Sequence, residues 1–480
     1  MSIPVTPGSP DAAGTDTATA TDTDAFDEGQ ARRAAFGSFA GAVIDWYDFI
    51  LYGLVAALVF NTEFFPDVSP AIGTLAAFAT FGVGFLFRPL GGIVFGHYGD
   101  RLGRKRMLVL TMVLMGASTT LIGLLPGYGT IGWWAPFLLV VLRAVQGFAV
   151  GGEWGGAALM AVESAPKARR AFYSSGVQVG YSVGLVMATG FVLLMSGLTT
   201  ESQFLSWGWR VPFLASVVLV VAGLWVRSRV HDSEEVLQKV EEAEQDAAVR
   251  GRRRVPLLEA LRTHPRAFAQ IFGLRLVELF SGYIVTAFAL SYATEELDYS
   301  RAFMLNIGLL VGALGIITIP TYAYLSDRFG RRRVYITGAV SGAVMAAPFF
   351  LALESGSEAA TVIAAVLLFN VAHDLAVSVQ QPLFTEMFGA EYRYSGAGVG
   401  YQFASAIAGG FTPFIAVALA TATGGSWHLV AAYLFVGCAI SAVLAWNLAR
   451  DHRTGPEKPT GTTGTTDTGA APASARTPAV

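Results

Sequence analysis

Along this chain, hydrophobic and polar positions segregate into long blocks, without the alternation of a half-buried strand. Twelve apolar segments stand out, at residues 34–60, 72–96, 106–125, 132–158, 171–197, 209–227, 266–293, 302–325, 333–353, 361–384, 396–421 and 427–448. Nearly all reach the ~20 residues that a helix rising 1.5 Å per residue needs to cross a hydrocarbon core. In lipid every backbone polar group must be satisfied within the segment, which a helix does and a single strand does not. The pattern therefore predicts an all-α integral membrane protein with twelve transmembrane helices. Residues 1–30 are rich in Thr, Asp, Ala and Gly, and 451–480 repeat that composition with Pro added. Neither stretch carries enough apolar surface to offset the entropy of ordering, so both are expected to be disordered tails. The N-terminal stretch lacks the basic segment and apolar core of a cleavable signal. Targeting is therefore expected from the first spanning helix.

Composition narrows the class. Of 480 residues, 53% are hydrophobic and only 14% charged, against roughly a quarter charged in a soluble domain. That excludes a conventional soluble enzyme and a disordered protein. A net charge of −3 argues against nucleic acid as a partner, and the single Cys438 excludes an internal disulfide framework. Where the cations fall sets an expected topology. With the N-terminus placed in the cytoplasm, 27 of the 32 Lys and Arg fall on the inner side, and only Arg210 and Arg301 lie outside. That bias predicts an even number of spans with both termini cytoplasmic. The last three, Arg88, Arg143 and Arg275, lie inside predicted spans.

The chain also repeats itself. Gly99-Asp100-Arg101-Leu102-Gly103-Arg104-Lys105 follows the second span, and Ser326-Asp327-Arg328-Phe329-Gly330-Arg331-Arg332 follows the eighth, 227 residues later. A weaker echo pairs Glu163 and Arg170 after span four with Glu386 and Arg393 after span ten. Two six-helix halves are expected, 31–227 and 265–450, joined by a charged cytoplasmic linker at 228–264. Parallel six-span repeats are an architecture of secondary transporters.

The Asp-Arg-x-Gly-Arg-Arg loop resembles the signature of the major facilitator superfamily, closely in the first copy and more loosely in the second, where Ala323 replaces the leading Gly. Asp45-Trp46-Tyr47-Asp48-Phe49, Phe87-Arg88-Pro89-Leu90-Gly91-Gly92, Arg143-Ala144-Val145-Gln146-Gly147 and Gly151-Gly152-Glu153-Trp154-Gly155 narrow the likeness. Together they are similar to the metabolite:proton symporter family, over about residues 31–450. The resemblance implies the major facilitator fold, proton-driven import of organic acids or osmolytes, and no enzymatic activity. The stretches 37–43, 172–180 and 386–390 resemble members that carry shikimate. Quinate, 2-oxoglutarate, and proline or betaine stay open as cargo, as does uncoupled transport or export. A membrane enzyme or a non-transporting sensor is a remote alternative.

Ionisable residues inside spans are the candidates for chemistry, because a charge at mid-bilayer costs ~2.5–3.5 kcal/mol and usually faces a cavity or a partner. Arg88 lies eight residues before Gly96, about 12 Å up the helix, with Pro89 freeing backbone groups beside it. Its guanidinium can grip a carboxylate through two parallel hydrogen bonds, and the family likeness also points to this Arg as the substrate anchor. Asp45 and Asp48 share a face of span one. They could load and release a proton, or be neutralised permanently by Arg143 or Arg275. Arg143, Gln146 and Glu153 share a face of span four, where the resemblance implies that the Arg takes part in proton coupling; a locked bridge to an acid is the alternative. Arg275 and Glu278 could be a self-satisfied pair or a gate that swaps partners with span one. His373 and Asp374 are adjacent, so they are expected to point to different faces, and His373 without a second ligand is not expected to bind metal.

A polyhydroxylated acid needs polar partners as well as a cation. Gln178, Tyr181, Gln380, Gln381, Tyr401 and Gln402 could supply them, or could simply bond neighbouring helices. The repeated loops predict a cytoplasmic gate built from Asp100, Arg101, Arg104, Asp327, Arg328 and Arg331, although a basic loop also fixes topology. The chain has no Gly-x-x-x-x-Gly-Lys loop, so no nucleotide or other cofactor is expected and the proton gradient is the expected drive. Partners are limited to a small organic anion, a proton and the bilayer, with the monomer as the working unit.

Overall fold

The structure is a computed structural model that describes residues 28–102, 104–151, 169–229, 264–387 and 393–448. Helices dominate, and no strand occurs among the described residues. Among the described residues, a helix coincides with each of the twelve apolar segments. These helices are α1 (Glu28–Val55), α2 (Pro70–Leu102), α3 (Arg104–Leu124), α4 (Trp134–Gly151), α5 (Arg170–Leu198), α6 (Arg210–Arg229), α7 (Pro265–Tyr283), α8 (Arg301–Phe329), α9 (Arg331–Glu354), α10 (Glu358–Val366), α11 (Arg393–Ala404) and α12 (His428–Asn447). Four of them run on through a π turn, at Ala56–Phe60 after α1, Ile284–Phe288 after α7, Leu367–His373 after α10 and Ser405–Gly409 after α11. Among the described residues, ten spans are long and apolar enough to cross a membrane alone. The α6 span adds Glu201–Gly208 across a 45° bend, and α3 has the shorter apolar stretch Val109–Leu124. The basic run Arg104–Arg106 occupies the first turn of α3 and delays its apolar part. Residues 28–30 of the expected tail belong to α1, while 1–27, the C-terminal tail, most of the 228–264 linker and the 152–158 end of the fourth segment lie outside the described residues.

Helix ends follow local chemistry. Ser300 opens α8 by accepting from the Phe303 N–H at 3.2 Å, and Ser357 opens α10 in the same way toward Ala360. Between α8 and α9 a single residue turns the chain. Gly330 sits there at φ 96°, a conformation that costs a residue with a Cβ far more.

Packing repeats between the halves. In the first, α1 lies on α5 and α2 on α4; in the second, α8 lies beside the residues after the α10 π turn, and α7 packs on α11 and α12. The seam joins α5 to α8 and α2 to α11. Small residues bring α2 and α4 into backbone contact: a Cβ on Gly91 would collide with the Phe148 carbonyl, and one on Gly147 with that of Gly84. Gly84 also leaves the room that the Arg143 guanidinium fills.

Candidate functional site

Where the two halves meet, a cavity is lined by Trp46, Gln178 and Tyr181 on one side and by Glu278, Tyr283, His373 and Tyr401 on the other. The space open to the centres of water-sized spheres is about 30 Å³. That holds roughly one or two waters, so an organic acid enters only when the halves part. Three of the predicted ligands, Gln178, Tyr181 and Tyr401, line it. Gln178 donates to the Val377 carbonyl across the seam at 3.4 Å. Gln380, Gln381 and Gln402 do not line the cavity; they are buried, with amide atoms that lack partners among the described residues.

Arg88 is 4% exposed and sits just behind this wall. Its guanidinium lies 3.8 Å from the Phe49 ring centre, 4.1 Å from Phe85 and 5.9 Å from the cavity-lining Trp46. Its Nε has no hydrogen-bond partner among the described residues. Aromatic faces partly offset the desolvation of a buried cation, but they leave its donors available.

Beneath Arg88 runs a polar chain through three helices. Asp48, fully buried, accepts from the Thr119 hydroxyl at 2.8 Å. Gln146 donates to Thr119 at 2.7 Å and accepts from Arg143 Nη1 at 2.5 Å. No direct bridge joins Asp48 to Arg143 among the described ion pairs. Arg143 lies 4.0 Å from Phe49 and 4.2 Å from Tyr52, and its Nε and Nη2 lack partners among the described residues. Asp45 is half-buried one turn before Asp48. Glu153 lies outside the described residues.

In the second half Arg275 and Glu278 are a bonded pair. Arg275 Nε donates to Glu278 Oε1 at 2.8 Å, while Nη1 reaches Ser405 and the Tyr401 carbonyl. The other oxygen, Glu278 Oε2, is buried without a partner among the described residues. His373 and Asp374 correct the expectation that neighbours in sequence point apart. His373 Nδ1 lies 2.9 Å from Asp374 Oδ1. A π turn ends at His373, but the backbone at both residues is αR, so the side-chain rotamers bring the two together.

Both ends of the seam are tied. At the basic end, Asp327 accepts from the Ala171 and Phe172 N–H groups at 3.2 and 3.1 Å, across the halves and onto the positive end of α5. Glu386 bonds Arg331 at 2.5 Å and lies 3.9 Å from Arg170 of the other half. Arg328 lies over the Phe329 ring. The side chains of Asp100, Arg101 and Arg104 are outside the described residues. At the opposite end, Arg301 bonds Glu201 at 2.5 Å and Thr74 donates to Glu295 at 3.3 Å, each pair again crossing the seam. The sequence reading missed these last contacts, and it noted Glu386 only as an echo. Glu201 and Glu295, acids at the ends of apolar runs, were the available signal.

Paired six-helix halves around a small, largely aromatic cavity define a membrane transporter of the alternating-access kind. The chain belongs to the Major Facilitator Superfamily, whose family model matches residues 35–399 and 271–478; it is a transporter, not an enzyme. It is 65% identical to the shikimate transporter of Escherichia coli, over 87% of this chain and 94% of that protein. To a proline/betaine transporter of Salmonella typhimurium it is 35% identical, over 82% and 78%. Among solved structures, the xylose transporter of E. coli in a partially occluded inward-open conformation superposes with a TM-score of 0.67. That match spans 87% of this chain and 97% of the other at 16% identity.

Proposed function

We propose that the protein is a proton-coupled importer of a small hydroxylated organic acid, shikimate, across the plasma membrane. The 65% identity to a shikimate transporter, over nearly the whole of that protein, carries this reading. In it Arg88 holds the substrate carboxylate once the halves part, and the cavity residues Gln178, Tyr181 and Tyr401 meet its hydroxyls. Asp48 takes the proton, and the relay through Thr119 and Gln146 reports its charge to Arg143. The basic end faces the cytoplasm, with both termini there. No cofactor is used, and a single chain suffices because both walls of the cavity come from it.

The test is uptake of labelled shikimate by cells expressing the protein, with and without a protonophore, beside the Arg88→Ala variant. Wild-type accumulation should collapse when the gradient is removed. The variant should sit in the membrane yet take up nothing above background. Accumulation that survives the protonophore would sink the coupling, and normal uptake by the variant would remove Arg88 from the site.

One observation favours a second reading. Trp46, Tyr181, Tyr283 and Tyr401 surround a cavity that also holds the Glu278 carboxylate, and aromatic faces beside a carboxylate suit a quaternary ammonium. Betaine that competes with labelled shikimate at equal concentration would favour that cargo.

A further inference from the structure

Two acceptors stand in the second-half wall of the cavity, beside the hydroxyls of Tyr283 and Tyr401. Asp374, fully buried, forms no ion pair with Lys or Arg among the described residues. Three donors converge on its carboxylate instead. Asn370 donates to Oδ2 at 2.9 Å, Thr318 donates to the same oxygen, and His373 Nδ1 lies 2.9 Å from Oδ1. A carboxylate has only acceptor sites, so the imidazole proton belongs on Nδ1. In its neutral form, a ring so held presents a lone pair at Nε2.

That lone pair has a fixed direction. The ring stacks on Phe369 at 4.5 Å between centres and leans on Tyr181 at 5.6 Å. His373 lines the cavity together with Gly282. A Cβ on Gly282 would lie 3.4 Å from Nε2, so its absence leaves room at that atom. Among the described residues Nε2 has no hydrogen-bond partner. Glu278 lines the same cavity, and its Oε2 is likewise an acceptor without a partner there. Two buried acceptors beside a small cavity call for a ligand that carries donors.

We propose that His373 Nε2 accepts a hydroxyl of the transported acid and that Asp374 positions it by fixing the tautomer. His373 is then a specificity-determining residue, which selects hydroxylated acids over analogues that lack the donor. A site built around a substrate hydroxyl rejects the deoxy analogue because its own acceptor is left unpaired. This inference rests on the substrate reading above.

The experiment is counterflow of labelled shikimate in proteoliposomes, with competition by shikimate and by its three mono-deoxy analogues. In the wild type one analogue should compete about 10- to 100-fold more weakly than shikimate, the cost of one unmade buried hydrogen bond. In His373→Ala that difference should shrink to about threefold or less. The affinity for the deoxy analogue itself should hold, which also reports that the variant is folded. His373→Gln, which offers an amide oxygen, should restore part of the discrimination. Asp374→Asn would donate to Nδ1 and move the ring proton to Nε2, so it should weaken shikimate and spare the analogue. Full discrimination in His373→Ala, or an unchanged preference in Asp374→Asn, would overturn the inference. A wild type that takes up no shikimate would overturn the substrate reading along with it.

Discussion

A carboxylate buried as completely as Asp48 is tolerated only where its surroundings compensate it. Here the compensation reaches it indirectly. The Thr119 hydroxyl donates to Asp48, Gln146 donates to Thr119, and Arg143 donates to Gln146. Protonating Asp48 would remove the acceptor charge at one end of that chain, and the Arg143 charge at the other end would lose its counterpart. Asp48→Asn should therefore let substrate equilibrate while abolishing its concentration against a gradient. Exchange of labelled for unlabelled shikimate should stay close to wild type and net accumulation should vanish; if accumulation persists, the proton travels elsewhere. Asp48 and Arg143 were legible in the sequence, because a charge inside an apolar run is conspicuous and costly. Thr119 was not. A threonine in a spanning helix carries no such signal, and its partner lies 71 residues away. His373 was misjudged for a different reason: helical spacing fixes where neighbouring side chains start and leaves their rotamers open.

At the element scale, the twelve helices themselves were the easiest feature to read. Uniformly apolar segments specify a span, but they do not specify its winding. A π turn inserts one residue, and a segment with no polar stripe gives no phase by which to detect it. The π turns after α1 and α7 start 228 residues apart, close to the 227-residue spacing of the loop motif. The internal repeat thus extends to backbone detail that composition hides. A glycine in an apolar run does not say by itself whether it serves close packing or sliding. The backbone contact of α2 with α4 makes packing the cause at Gly91, since a methyl group would fall on the Phe148 carbonyl. Gly91→Ala should cost about 1–3 kcal/mol and lower the thermal midpoint of the detergent-solubilised protein. Gly129→Ala, where nothing lies within 4 Å, is the control and should leave the midpoint in place. Equal midpoints for both variants would show that α4 can move away from α2 without penalty.

Across the whole molecule, the two sets of seam contacts cannot both persist through a transport cycle. A cavity with room for only water, tied at the basic end by Asp327 and Glu386 and at the other by Arg301 and Glu295, must break one set to admit a solute and the other to release it. The two ion pairs that cross the seam, Arg170–Glu386 and Arg301–Glu201, contribute ~0–1 kcal/mol each, weak enough to open at a rate useful for transport. Covalent locks should separate the two ends. Glu201→Cys with Arg301→Cys places thiols at one end, and Arg170→Cys with Glu386→Cys places them at the other. The native Cys438 is buried and should not compete for a short bifunctional thiol reagent. Cross-linking either pair should stop shikimate uptake, and reductive cleavage of a disulfide-containing linker should restore it. Accessibility should then differ between the locks. With the Glu201–Arg301 end closed, a permeant thiol probe at a cavity position such as Val377→Cys should react only from the basic side. With the Arg170–Glu386 end closed, an impermeant probe should still reach it from the opposite side. A cavity thiol equally reactive under both locks would mean that these contacts decorate the seam without gating it.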